Sequence, residues 1–128
     1  MARLARRRTE EVQADRQAIA VDAARRWGAV VALKGAHTVV AAPDGRVVVD
    51  PHAVPAMASG GTGDVLAGVI GALIAQGSPP FEAAVTGVYV HAEAGRWIAA
   101  DLGLSGLAAS DLLLVVPRVM QALRDAGR

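Results

Sequence analysis

The sequence predicts a layered α/β fold, ordered as helix, strand, β-hairpin and three further helices. Three observations lead there. Hydrophobic residues make up 53% of the 128 positions and aromatics only 3%, so small aliphatics must fill the core, as in helix-on-sheet layers. Apolar residues recur at helical spacing in some segments and form short β-branched runs in others. Glycine and proline clusters punctuate the boundaries between them. The same composition excludes a disordered chain.

Thr9 is the expected cap of the first helix, with Glu10 and Glu11 in its first turn, and Val12, Ile19, Ala23 and Trp27 form its apolar stripe. Gly28 ends it. The all-apolar run Ala29 to Leu33 follows and suits a buried parallel strand. Thr38 to Ala42 and Arg46 to Asp50 are paired strands of a hairpin turned by Pro43-Asp44-Gly45. Residues 51–63 are loop, and a helix buried on most sides runs from about Thr62 to Gln76, stopped by Gly77. Ser78-Pro79-Pro80 restarts the chain as a helix, with Ser78 as cap, running to about Ala100. A glycine-rich link, Gly103 to Gly106, leads to a last helix capped by Ser110, with Leu113, Val116, Met120 and Leu123 as its buried stripe. No linker or repeat divides the chain, so residues 1–128 are read as one domain.

Charge and cysteine content narrow the function. A net charge of +1 argues against nucleic-acid binding, and the run of Arg3, Arg6, Arg7 and Arg8 is followed at once by Glu10 and Glu11, as at a solvated element end. With no cysteine there are no disulfides, thiolate zinc sites or cysteine nucleophile, which fits a reducing, cytoplasmic compartment. Val65 to Ala75 falls well short of the roughly 20 residues a membrane-spanning helix needs. No membrane role is expected.

The chemistry concentrates at Gly60-Gly61-Thr62-Gly63-Asp64. A helix start exposes unpaired N–H groups and a partial positive charge, and glycines let an anion approach the backbone. Thr62 can add a hydroxyl donor, and Asp64 would lie beside the transferred phosphate as a base for an attacking hydroxyl. The run is not a Walker A loop, since no Gly-Lys-Ser/Thr follows, nor a dinucleotide fingerprint, since no strand leads directly into it. A tight turn in which Asp64 merely caps the helix remains the alternative. Lys34, just beyond a buried strand, is placed where open α/β sheets bind ligands and could meet a phosphate as a point charge, or could be an ordinary exposed lysine. His37, His52 and His91 show no metal-ligand spacing, and His91-Ala92-Glu93 lacks the cysteines of a zinc deaminase. No metal site is expected from side chains alone, and His91 is read as a packing residue.

Four runs together resemble the ADP/ATP-dependent NAD(P)H-hydrate dehydratases of the ribokinase-like superfamily. They are Leu33-Lys34-Gly35-Ala36-His37-Thr38, Met57 to Gly68, His91-Ala92-Glu93-Ala94-Gly95-Arg96, and Gly106-Leu107-Ala108-Ala109-Ser110-Asp111-Leu112. The resemblance extends from about Asp15 to Val116 and implies a ribokinase-like layered α/β fold. It implies an ADP- or ATP-dependent removal of water from S-NADHX or S-NADPHX, the hydrated nicotinamide cofactors, to restore NADH or NADPH. Asp64 would be the catalytic base and would also touch the hydrated nicotinamide. Lys34, Gly35, Ala36, His37 and Thr38 would contact the nucleotide, Gly63 would hold its phosphates, and Gly60 to Gly63 would form the anion hole. Mg²⁺ would accompany the nucleotide, and the chain would assemble as a homotetramer. Related readings are a ribokinase-like small-molecule kinase and a catalytically incomplete nucleotide-binding fragment.

Members of that family are longer, and Met1-Ala2-Arg3-Leu4 resembles the interior of their pattern, just after a His-Pro-Gly-Glu segment. The resemblance therefore implies the C-terminal half of the fold, with the Ala29 to Leu33 strand left as an exposed edge and part of the substrate pocket outside this chain.

Overall fold

The computed structural model describes residues 1–128 as helices on both faces of a small sheet. A short helix α1 (Ala2–Ala5) precedes α2 (Thr9–Ala14) and α3 (Arg16–Trp27). The expected single helix from Thr9 to Trp27 is thus two. Asp15 leaves helical geometry (φ −145°, ψ 73°) and its Oδ1 accepts the Ala18 N–H at 3.0 Å, so a side chain satisfies the new helix start. Thr9 is the first helical residue and not the cap, because Glu11 reaches back to accept the N–H of Arg8. The buried stripe of α3 is Ala20, Ala23 and Ala24, and Trp27 stays 41% exposed. Small side chains there let the helix lie close to the sheet.

Strands β1 (Val31–Leu33), β2 (Val39–Ala41) and β3 (Val47–Val49) form an antiparallel sheet in the order β1-β2-β3. The parallel strand expected at Ala29 to Leu33 is corrected on two counts. It begins later, because Gly28 is left-handed (φ +60°) and the Ala29 N–H bonds back to the Ala24 carbonyl, closing α3. Its one partner in this chain is antiparallel β2, in the register Val31↔Ala41 and Leu33↔Val39, and its burial alternates, with Ala32 exposed. The hairpin forms as expected, and all three residues of β2 are buried. Val39 and Ala41 meet α3 on one face, while Val40 meets Leu66, Ala84 and Val88 on the other. Arg46, beside the hairpin turn, stacks 4.5 Å from the centre of the Phe81 ring and pairs with Glu82.

A 3₁₀ turn at Pro55–Met57 interrupts the following loop. Helices α4 (Thr62–Ala75), α5 (Pro80–Leu102) and α6 (Ala109–Ala126) complete the chain. The expectation that α4 is buried on most sides fails, since only Thr62 and Leu66 are buried and α5, α6 and β2 cover it from one side. Ser78 does not cap α5. Its N–H closes the end of α4 on the Leu73 carbonyl, and Pro80 occupies the first turn, where it has no N–H to satisfy. Ser110 does not cap α6 either, because Asp111 accepts the Ala108 N–H at 2.8 Å. The buried stripe of α6 is Leu112, Val116 and Val119, with Met120 half-buried, whereas Leu113 and Leu123 are exposed. A rotation of about one residue separates this stripe from the expected one.

Candidate active site

The helix start that drew attention in the sequence is built by its own residues. Gly61 caps α4 with φ +83°, a left-handed backbone that favours glycine, and any Cβ there would lie 3.2 Å from that of Ala109. Thr62, 1% exposed, is turned inward. Its hydroxyl lies 3.1 Å from the Met57 carbonyl and 3.0 Å from that of Ser59. One hydroxyl proton serves those two acceptors, so the expected phosphate-donating hydroxyl is a strut for the loop instead, and Thr62 can meet an anion only through its main chain. The N–H groups of Gly60 and Gly61 bond to nothing in the protein, and those of Thr62 and Gly63 find no acceptor in the preceding loop. A row of unpaired donors at a helix start is an anion site in waiting.

The capping alternative for Asp64 is answered by its side chain. It is exposed, and its carboxylate makes no hydrogen bond and no ion pair. It does not cap the helix. Its side chain lines the groove between α4 and α6, opposite Leu113, Pro117 and Met120.

The Lys34 loop is held from behind. Arg16 Nη2 donates to the Leu33 carbonyl at 2.8 Å, and Gly35 (φ +153°) leaves room for the guanidinium, which a Cβ would approach to 3.0 Å. Thr38 closes the turn by donating to the Gly35 carbonyl at 2.9 Å and accepting the Gly35 N–H at 3.3 Å. Lys34 Nζ then reaches Thr62 Oγ1 at 3.3 Å, and its stem packs 3.8 Å from the position of a Gly63 Cβ. Two motifs separated in sequence thus meet, with the lysine beside the glycine run.

Below this junction lies a cavity of about 260 Å³ between the hairpin and helices α4 and α5. Lys34, Gly35, Ala36 and Thr38 line it, with Met57, Leu66 and Val88 as apolar walls. His37 does not line it. It is exposed and left-handed (φ +52°), with its N–H on the His52 carbonyl. The polar wall is Asp50, His52 and His91. Asp50 Oδ1 lies 3.0 Å from His52 Nδ1, and Glu93 Oε2 lies 3.1 Å from His52 Nε2. Glu93 also accepts from Arg96 and Trp97. The Arg96 guanidinium foremost, with Trp97 and His52, holds the Glu93 carboxyl down from 4.5 to about 2 against partial burial. No group of three or more His, Asp or Glu side chains is arranged to hold a metal ion.

The profile of the NAD(P)H-hydrate dehydratases matches residues 1–118, nearly the whole chain and every segment just described. The chain belongs to that family. Among dehydratase-family relatives, a bifunctional NAD(P)H-hydrate repair enzyme of Moorella thermoacetica is 45% identical over 98% of this chain and 24% of its own length. An ADP-dependent (S)-NAD(P)H-hydrate dehydratase of Neisseria meningitidis is 42% identical over 87% of this chain and 38% of its own. In structure, the chain is similar to the Bacillus subtilis ADP/ATP-dependent NAD(P)H-hydrate dehydratase co-crystallised with ATP/Mg²⁺. The TM-score is 0.81 at 33% identity, over 88% of this chain and 41% of that one. The fold is accordingly the ribokinase-like dehydratase fold, and this chain spans about two fifths of such dehydratases and a quarter of the bifunctional enzymes.

Sequence reasoning missed the Asp50–His52–Glu93 chain and the use made of His91. One part had a local signal, since Glu93, Arg96 and Trp97 stand at three- and four-residue spacing on α5. His52 and Glu93 are 41 positions apart and had none.

Proposed function

We propose that the chain carries the nucleotide and phosphoryl-transfer part of an ADP- or ATP-dependent dehydration of S-NADHX or S-NADPHX, repairing the cofactor to NADH or NADPH. The observation that carries this reading is the free Asp64 carboxylate at a helix start whose neighbouring N–H groups are unpaired, with Lys34 alongside. The named activities of the relatives supply the substrate.

The residues fit the nucleotide. Its base would enter the cavity below Lys34 to Thr38, between the walls of Met57, Leu66 and Val88. Its phosphates would meet Lys34 and the N–H groups of Gly60, Gly61, Thr62 and Gly63. Mg²⁺ would come in with the nucleotide, held by its phosphate oxygens and by water, which leaves the Asp64 carboxylate free for the proton. When bound, the ion offsets phosphate charge.

Asp64 would take the proton from the hydroxyl of the hydrated nicotinamide as that oxygen attacks the terminal phosphoryl group. The glycine-run N–H groups hold the charge on the transferring phosphoryl oxygens. Phosphate then leaves with its carbon–oxygen bond electrons while the adjacent ring carbon gives up a proton, which restores the double bond. A cytoplasmic, homo-oligomeric enzyme, a tetramer in keeping with the resembled family, completes the reading.

The test is a stoichiometry. Purified chain given S-NADPHX, ADP and Mg²⁺ should release one AMP and one inorganic phosphate for each NADPH recovered. A stable phosphorylated product with no return of NADPH would replace the dehydratase with a kinase. Nucleotide binding with neither product would mark a binding fragment.

A further inference from the structure

His91 projects from the middle of α5 into the layer beneath the glycine run, 4% exposed, and the mechanism above leaves it unused. Its Nε2 lies 2.7 Å from the Thr62 main-chain carbonyl, the first of α4. A carbonyl only accepts, so Nε2 carries the hydrogen. Burial pushes the pKa of His91 down and Lys34 acts the same way, together outweighing the Thr62 hydrogen bond and Asp50. The ring is therefore neutral, and its contact with a carbonyl puts the hydrogen on Nε2.

The Thr62 carbonyl and the Gly63 N–H belong to one peptide unit. That unit is planar and trans, so the two groups point in opposite directions. The α4 ladder already directs this N–H toward the open helix start, and a donor on the carbonyl at 2.7 Å holds the peptide in that orientation. Such a clamp matters because this helix start is flanked by Gly60, Gly61 and Gly63, whose backbones have the most freedom to lose. Thr62 is already tied through its hydroxyl to the 57–59 loop and to Lys34. Its side chain is fixed by one set of bonds, and its carbonyl, which opens the α4 ladder, takes a further bond from His91.

We infer that His91 is a positioning residue, which aims the Gly63 N–H at a bound phosphate by holding the Thr62 carbonyl from inside the protein. The ligand rests on the nucleotide reading of this site. The clamp itself does not.

Two variants separate the hydrogen bond from the space it occupies. In His91→Gln the side-chain amide nitrogen stands the same number of bonds from the backbone as Nε2 and can donate in its place. In His91→Leu the volume is kept and the donor is lost. Titration with ADP and Mg²⁺, followed by calorimetry and by the amide resonances of Gly61 and Gly63, should find His91→Gln close to the wild type. His91→Leu should bind about tenfold more weakly, the worth of about one well-placed hydrogen bond, with the Gly63 resonance displaced before any ligand is added. Equal ADP affinity in His91→Leu with an unmoved Gly63 resonance would overturn the inference. If His91→Leu does not fold, the wild-type imidazole ¹⁵N spectrum decides. The Nε2–H tautomer supports the clamp, and the Nδ1–H tautomer overturns it. If the wild type binds no ADP, the nucleotide reading falls separately, and the displacement of the Gly63 resonance, restored in His91→Gln, still judges His91.

Discussion

Glutamine in place of Glu93 should loosen the join between the 50–54 loop and α5, and the loss should carry a specific pH dependence. The carboxylate accepts from Arg96 Nε at 2.7 Å and Trp97 Nε1 at 2.8 Å, and meets His52 Nε2 at 3.1 Å. Its pKa falls from 4.5 to about 2, which corresponds to about 3 kcal/mol at roughly 1.4 kcal/mol per pH unit. The Arg96 side chain is 57% exposed, and screening there brings the expected contribution to on the order of 2 kcal/mol. A carboxyl whose folded pKa lies below its unfolded one stabilises fully above about pH 4.5, and the contribution is lost as pH falls toward 2. Urea unfolding of the wild type and Glu93→Gln at stepped pH measures this directly. The wild type should be more stable by about 2 kcal/mol at pH 7 and pH 5, with more than half of the difference gone by about pH 3. A difference that does not change with pH, or none at pH 7, would refute the electrostatic account of this join.

Two further substitutions probe the scaffold and the nucleotide loop. A Cβ added at Gly95 would collide with the Met57 sulfur, so Gly95→Ala should lower stability by about 1–3 kcal/mol, and Met57→Ala in the same chain should return part of that loss in a double-mutant cycle read by thermal unfolding. Lys34→Met keeps the apolar stem beside Gly63 but removes the charge. It should weaken ADP binding by about ten- to a hundredfold, the range for a charged hydrogen bond, and should flatten the dependence of affinity on salt. Both changes are readable by calorimetry.

How far the sequence disclosed this arrangement depended on how local each cause was. Pro43-Asp44-Gly45 dictates its own turn, and the hairpin register follows from it. Gly28, Gly61 and the paired prolines likewise act within a few residues. The break at Asp15 is local too, but a continuous apolar stripe hid it, since periodicity does not register one side chain capping its own chain. The direction of β1 was not legible, because the run of valines suits a buried strand of either sense and β2 fixes it from outside. At the site, the phosphate reading of Lys34 and Gly60 to Asp64 came from their residue types alone. Their meeting through Thr62 did not show, for it spans 28 positions. Nor did the inward turn of the Thr62 hydroxyl, which depends on carbonyls offered by the 3₁₀ turn and Ser59.

The central claim is that Asp64 is free because it acts as the base. Asp64→Asn keeps the size of the side chain and disturbs no hydrogen bond, since the carboxylate makes none. The most direct measurement is the rate of NADPH recovery from S-NADPHX by the variant and the wild type, with ADP affinity measured on the same samples. The account predicts near wild-type ADP affinity and a rate lowered by at least about a hundredfold, the low end for loss of a general base. Recovery of NADPH at the wild-type rate by Asp64→Asn would contradict it.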